Sequence, residues 1–210
     1  MKKLLLIIAL LFANTAFANI NLTNNTDLIR NIETYVNSLQ SISGNFNQIS
    51  SNGAKDSGVF YIKKPGRMRL EYKSPILLVA DGSSIVYFDK KLDQISYIAL
   101  DSNPASIILN GNVKLTDPNS AVKITNITKT DNDLLEVELS VPNEKQSGKI
   151  TMIFQNKPLS LLGWRVKDPQ GITTTISLYN IQPEKNLSES LFKITKNKSF
   201  DNKKSNSKYY

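Results

Sequence analysis

Two pairs of carboxylates, Asp131 with Asp133 and Glu136 with Glu138, are the side chains whose type and spacing could do chemistry. Two acidic groups flanking a glycosidic bond can serve as general acid and as base or nucleophile, so the pairs raise a glycosidase. The chain has no histidine and no cysteine. That removes the usual general base, the Ser/His/Asp arrangement, thiol catalysis, thiolate metal sites and the commonest zinc ligand together. The acidic pairs also fall in turn and strand-edge contexts, where charges ordinarily face solvent. No glycine-rich phosphate loop is present: Gly53, Gly58 and Gly66 fall at hairpin spacing and none opens a helix. The reading is a protein that binds and does not catalyse, with no cofactor and no metal.

The first eighteen residues read as an export signal, with Lys2 and Lys3 ahead of the apolar run 4–12 and a small-residue site at Ala16-Phe17-Ala18. Spanning a bilayer takes about 20 apolar residues, and Asn14 and Thr15 end this run too early. Cleavage after Ala18 leaves one domain at 19–195 followed by a basic tail at 196–210. A lipid anchor would need a cysteine after the cleavage site, so the mature chain is expected to diffuse freely as a monomer. Of the net charge of +8, two units leave with the signal and the tail, with five lysines and one aspartate, carries +4. The body is then only +2, and no nucleic-acid-binding motif accompanies it, so nucleic acid is not the expected partner. The tail reads as a solvated end, with contact to anionic head groups the lesser alternative.

The elements that must build the binding surface follow from periodicity. Leu28, Ile32, Tyr35, Val36 and Leu39 recur at helical spacing and predict a helix over 27–39, with Thr26 placed to cap it. From Ser43 onward the period becomes two. Eleven short β-runs follow, near 44–50, 57–63, 67–73, 76–81, 85–89, 94–99, 122–128, 134–140, 149–155, 161–167 and 172–181. Turn chemistry at Lys64-Pro65-Gly66, Asp81-Gly82, Asn156-Lys157-Pro158 and Asp168-Pro169-Gln170-Gly171 makes consecutive strands neighbours in an antiparallel meander. One interruption, 102–111, reads as a short apolar helix with Pro104 near its start and Gly111 near its stop. On the third run Met68, Leu70 and Tyr72 face one way while Arg67, Arg69, Glu71 and Lys73 face the other. The fold class is therefore mainly β with helices, an α+β sheet whose apolar face is covered by two helices acting as a lid. Periodicity leaves open whether a filled core or a cavity lies between them.

The segment 46–93 resembles the periplasmic outer-membrane lipoprotein carrier family, LolA. It does so through Phe46-Asn47-Gln48, Gly58-Val59-Phe60, the run Lys64-Pro65-Gly66-Arg67-Met68-Arg69-Leu70-Glu71-Tyr72, Pro75, Ala80-Asp81-Gly82, Tyr87-Phe88-Asp89 and Leu92-Asp93-Gln94. The resemblance implies an incompletely closed antiparallel β-barrel of about eleven strands, with an α-helical lid over an apolar cavity for acyl chains. It implies a Gram-negative periplasmic chaperone carrying triacylated lipoproteins from an inner-membrane lipoprotein-releasing ABC transporter to an outer-membrane lipoprotein receptor. Other lipid-binding or envelope-stress-sensing modules on this fold are the alternative. In the family the residue before the proline is usually an arginine that holds the lid closed. Here it is Lys64, a mobile point charge in place of a planar fork. Met68, Leu70, Tyr72, Ala105 and Ile108 are expected to touch the chains. Replacing Met68 or Leu70 by glutamate is expected to abolish cargo binding while the fold persists.

Overall fold

The computed structural model describes residues 18–19, 25–100, 105–120, 122–140, 149–168 and 170–194. The expected signal apart from Ala18, the basic tail and Pro104 lie outside the described residues. Twelve strands form one antiparallel sheet in the order β1-β8-β9-β10-β11-β12-β2-β3-β4-β5-β6-β7. They are β1 Ala18–Asn19, β2 Ser41–Ser50, β3 Lys55–Lys63, β4 Arg67–Tyr72, β5 Ile76–Asp81, β6 Ser84–Asp89, β7 Gln94–Ala99, β8 Lys123–Lys129, β9 Leu134–Ser140, β10 Lys149–Gln155, β11 Ser160–Lys167 and β12 Thr173–Pro183. The eleven strands after β1 are the eleven runs read from the sequence. β1 is additional, a two-residue pairing of Ala18 with Lys129 and Asn19 with Thr128. Since β1 and β7 are the outer strands of this order, the barrel does not close.

The meander joins through the expected turns, where Gly66, Gly82 and Gly171 have positive φ. At Gly66 this freedom is required: its φ is +77°, and a Cβ there would lie 2.8 Å from the Cα of Gly82. Two hairpin tips thus pack backbone to backbone beside the lid.

Helix α1 runs over Thr26–Ser38 and α2 over Ala105–Leu109. Thr26 is the first helical residue rather than the cap, which is Asn25. Ile29, Ile32 and Val36 of α1, with Ile107, Ile108 and Leu109 of α2, pack onto the inner face of the sheet. There they meet Phe46, Phe60, Ile62, Met68 and Leu70 from one half, and Leu135, Val137, Ile150, Met152, Phe154 and Trp164 from the other. This is the lidded apolar face that the alternation on β4 implied.

The outer face differs from the wet surface read on β4. On β5 and β6 both faces are apolar, and outer Leu77 and Val79 form a second cluster with Phe192 of a C-terminal 3₁₀ turn, Glu189–Phe192. The helices are thus not the only cover, because the segment 187–194 straps the other side of the same strands.

Candidate functional site

The site is the seam where lid meets barrel, and it centres on the β3–β4 hairpin. Lys64 is 9 % exposed, and its Nζ donates to the Val36 carbonyl at 2.9 Å, in the last turn of α1. Its backbone N donates to Gln40 O at 2.7 Å, while the Gly66 N donates to Leu109 O, the end of α2, at 2.8 Å. One hairpin therefore holds both lid helices, each through a terminal carbonyl that the helix itself cannot satisfy or shares weakly. Burial lowers the Lys64 ammonium from its ordinary range to about 8. The neighbours Lys63 and Arg67 turn outward and grip the strap. Lys63 Nζ donates to Leu187 O at 2.9 Å and to Glu189 Oε1 at 2.6 Å, and Arg67 Nε lies 2.6 Å from Glu189 Oε2.

A second set of bonds ties α1 to the segment after α2. Asn37 donates to Val113 O and accepts from Val113 N, both at 2.8 Å, so its amide pairs with that backbone as another strand would. Glu33 Oε2 accepts from Leu115 N at 2.6 Å and from Thr116 N at 3.0 Å. Burial alone would push the Glu33 carboxyl up, but the amides of Thr116 and Leu115 outweigh it and hold the group below its ordinary value. These bonds make the two helices one lid. Asn37→Ala would strip both partners from Val113, which is 2 % exposed, and amide exchange at Val113 is expected to rise roughly 10-fold or more while α1 stays protected. Unchanged exchange there would remove the coupling.

Tyr35 anchors the opposite side of α1. Its hydroxyl accepts from Leu161 N at 3.0 Å, and its ring meets Phe154 edge-on at 6.2 Å. None of Tyr35, Glu33 and Asn37 was singled out in the sequence. Tyr35 was read only as part of the apolar stripe, and the partners of all three are mainly backbone atoms, 76 or more residues away.

The residues expected to touch cargo are brought together on one surface. Met68 at 4 % exposure, Leu70 at 2 % and Ile108 at 4 % are buried in the one core cluster that the sheet shares with the lid helices. Tyr72 sits further along the same inner face, half-buried against Phe46 at 4.9 Å, and donates to Gln48 Oε1 at 2.8 Å. Burial, with the charges of Asp56 and Tyr87, pushes its phenol well up, so it remains a neutral donor. Ala105 opens α2, and its side chain lies outside the described residues. With the lid down the space is filled: a void of about 10 Å³, about the room of one water molecule, lies among Val36, Leu39, Ile42, Ile62, Lys64, Ile108, Met152 and Leu161. The alternatives that periodicity left open resolve to a packed interior in this state.

Three of the four carboxylates in the acidic pairs are engaged in ion pairs. Glu136 makes a two-pronged ion pair with Arg165 at 3.0 Å, Glu138 pairs with Lys149 at 2.8 Å, and Asp133 pairs with Lys129 at 2.8 Å. Among the described residues no cluster of three or more acidic side chains could hold a metal, and no helix is long and apolar enough to cross a membrane.

An open antiparallel half-barrel with an apolar interior and a hydrogen-bonded helical lid defines the class as a lidded half-barrel. Residues 37–195 match the family described as outer membrane lipoprotein carrier protein LolA, and the chain belongs to that family. It is 25 % identical over 211 residues to an outer-membrane lipoprotein carrier protein of Legionella pneumophila (strain Corby), covering 96 % of this chain and 98 % of that one. It is 26 % identical over 181 residues to one of Neisseria meningitidis serogroup C, covering 81 % and 84 %. A solved LolA superfamily protein, NE2245 from Nitrosomonas europaea, aligns with a TM-score of 0.45 at 10 % identity, over 79 % of this chain and 97 % of that one.

Proposed function

We propose that this protein is a periplasmic chaperone that takes the acyl chains of a triacylated lipoprotein under its lid and carries them from the inner to the outer membrane. Met68, Leu70, Tyr72, Ala105 and Ile108 touch the chains, and Lys64 is the latch. The observation that carries the reading is a largely apolar interface between lid and sheet, closed by a few polar bonds at the β3–β4 hairpin and at Tyr35.

The magnitudes suit a hand-over. Hiding one acyl chain from water is worth about 0.8 kcal/mol per methylene, on the order of 10 kcal/mol per chain, so cargo does not enter water alone. The closed lid buries six aliphatic side chains of its own, at roughly 2 kcal/mol each, which together match one of the cargo's three chains. Acyl chains can thus replace the lid residues in the interior, and can be replaced by them when a receptor accepts the cargo. Donor and acceptor in this reading are the lipoprotein-releasing ABC transporter and an outer-membrane lipoprotein receptor.

Mass spectrometry of the protein purified gently from periplasm tests the proposal. Co-purified triacylated lipoprotein is the expected result. A free lipid, or no ligand after lipoprotein overexpression, would move the chain to the alternative lipid-binding or stress-sensing role.

A further inference from the structure

A concavity at the β5–β7 end lies on the face opposite the lid. Two adjoining grooves of about 750 and 390 Å³ share Lys193 and Ile194 and run between the outer face of β5–β7 and the C-terminal strap. Three cross-strand pairs floor them: Leu77 with Phe88, Val79 with Val86, and Val86 with Tyr97. Phe192 and Ile194 form the wall. Tyr97 is 70 % exposed, a large aromatic that neither core uses. Lys193 lies where the two grooves meet, and Lys90 lines the smaller one with Arg69. Arg69 is already bonded to Glu71 and to Leu191 O, whereas neither lysine ammonium has a partner among the described residues. Asp81 lines the larger groove, its carboxylate bonded to Ser83 and Ser84.

We propose that this groove is a second binding site, for one anionic lipid, with its head group on Lys90 and Lys193 and its chain along Val79, Val86 and Tyr97. The volume is in the range of a small-ligand site, and the lining mixes apolar side chains with the cations Lys90 and Lys193. An exposed apolar patch next to unpaired cations is what an amphiphile with a negative head complements. The chain's own continuation is a poor occupant on charge grounds, since 196–210 carries +4 and would bring lysines to lysines. The site is separate from the lid side and does not depend on the carrier reading. The strap that walls it is held by Lys63 and Arg67, which flank the latch residue Lys64 and its hairpin.

The test uses the full mature chain and lysophosphatidylglycerol carrying a photoreactive acyl chain, with lysophosphatidylcholine as the zwitterionic control. Expected are cross-links on Val86, Tyr97, Phe192 or Ile194, and at least about 10-fold tighter binding of the anionic probe. Lys90→Gln with Lys193→Gln should equalise the two probes, and Tyr97→Asp should weaken both; all three positions are at the surface, so the sheet should be undisturbed. Cross-links confined to Met68, Leu70 or Ile108 would overturn the second site and leave the carrier reading standing. Groove cross-links with no lipoprotein ever bound would do the reverse. Equal affinities for the two probes, groove binding that appears only after residues 196–210 are deleted, displacement of the lipid by an acidic apolar peptide at lower concentration, or occupation of the groove by a second copy in sedimentation would each overturn the proposal.

Discussion

Leu70→Glu is expected to lower affinity for a triacylated lipoprotein roughly 100- to 1,000-fold while the sheet stays folded. Leu70 lies on the inner face of β4 at 2 % exposure, paired with Phe60 on one side and Leu78 on the other. A carboxylate there has no partner in an apolar surround. Full burial raises such a group by about 3–5 pK units, so at pH 7 it is forced neutral at a cost of about 4 kcal/mol. On the carrier reading proposed above, the lid lifts in the free protein and lets water reach it. In the complex acyl chains seal it, and the cost falls on binding. The sequence-level expectation that the fold simply persists therefore needs an added control, because 4 kcal/mol is a large part of a typical stability of about 5–15 kcal/mol.

Leu70→Ala supplies that control. It removes buried methyl groups at a cost of about 2–5 kcal/mol without adding charge, so it destabilises comparably yet should keep cargo affinity within a few-fold. Thermal unfolding followed by circular dichroism reads stability, and lipoprotein release from spheroplasts reads carriage. A folded Leu70→Glu protein that still carries cargo, or a Leu70→Ala protein that loses as much binding, would remove the inner wall of β4 from the site.

Most of the architecture was legible because strand periodicity records which face is wet. On β4 the alternation of Arg67, Arg69 and Glu71 with Met68, Leu70 and Tyr72 located both the strand and its buried side. The same rule was silent on β5 and β6, where Ile76–Ala80 and Ile85–Phe88 are apolar on both faces, and so the C-terminal strap over Leu77 and Val79 went unseen. The short strand β1 left no pattern because two residues have no period. At the lid, Lys64 drew notice only through the family resemblance, and its acceptor, the Val36 carbonyl, was not legible because backbone acceptors carry no side-chain signal. Asn37 and Glu33 escaped for the same reason.

The closed lid is expected to become more stable as pH rises from 8 to 10.5, by up to about 3 kcal/mol, through Lys64 alone. Under the lid its ammonium titrates near 8; released into water it titrates near 10.5. Between those values the open form holds a proton that the closed form does not, so raising pH favours closing. Below 8 both forms are protonated and this group contributes no further slope. Burial without a counter-charge is the cause, and the single hydrogen bond to Val36 O, worth about 1.5–3 kcal/mol, at best offsets that desolvation. On the proposed carrier reading, lysine would make a latch that partly works against itself, as suits a lid that has to reopen.

The substitutions separate the two contributions. Lys64→Arg keeps its charge throughout, so the slope between pH 8 and 10.5 should vanish. Lys64→Met removes the desolvation cost, while Val36 O keeps its bond from Leu39 N at 3.3 Å. The closed lid should then gain about 1–3 kcal/mol at pH 7 and cargo uptake should slow by about 10-fold or more. Spin-label distances between Arg30 on α1 and Lys157 in the β10–β11 turn would read lid closure directly. If the methionine variant opens the lid instead, the hydrogen bond outweighs the desolvation, and Lys64 is a strong latch in the manner of the arginine usual in the family.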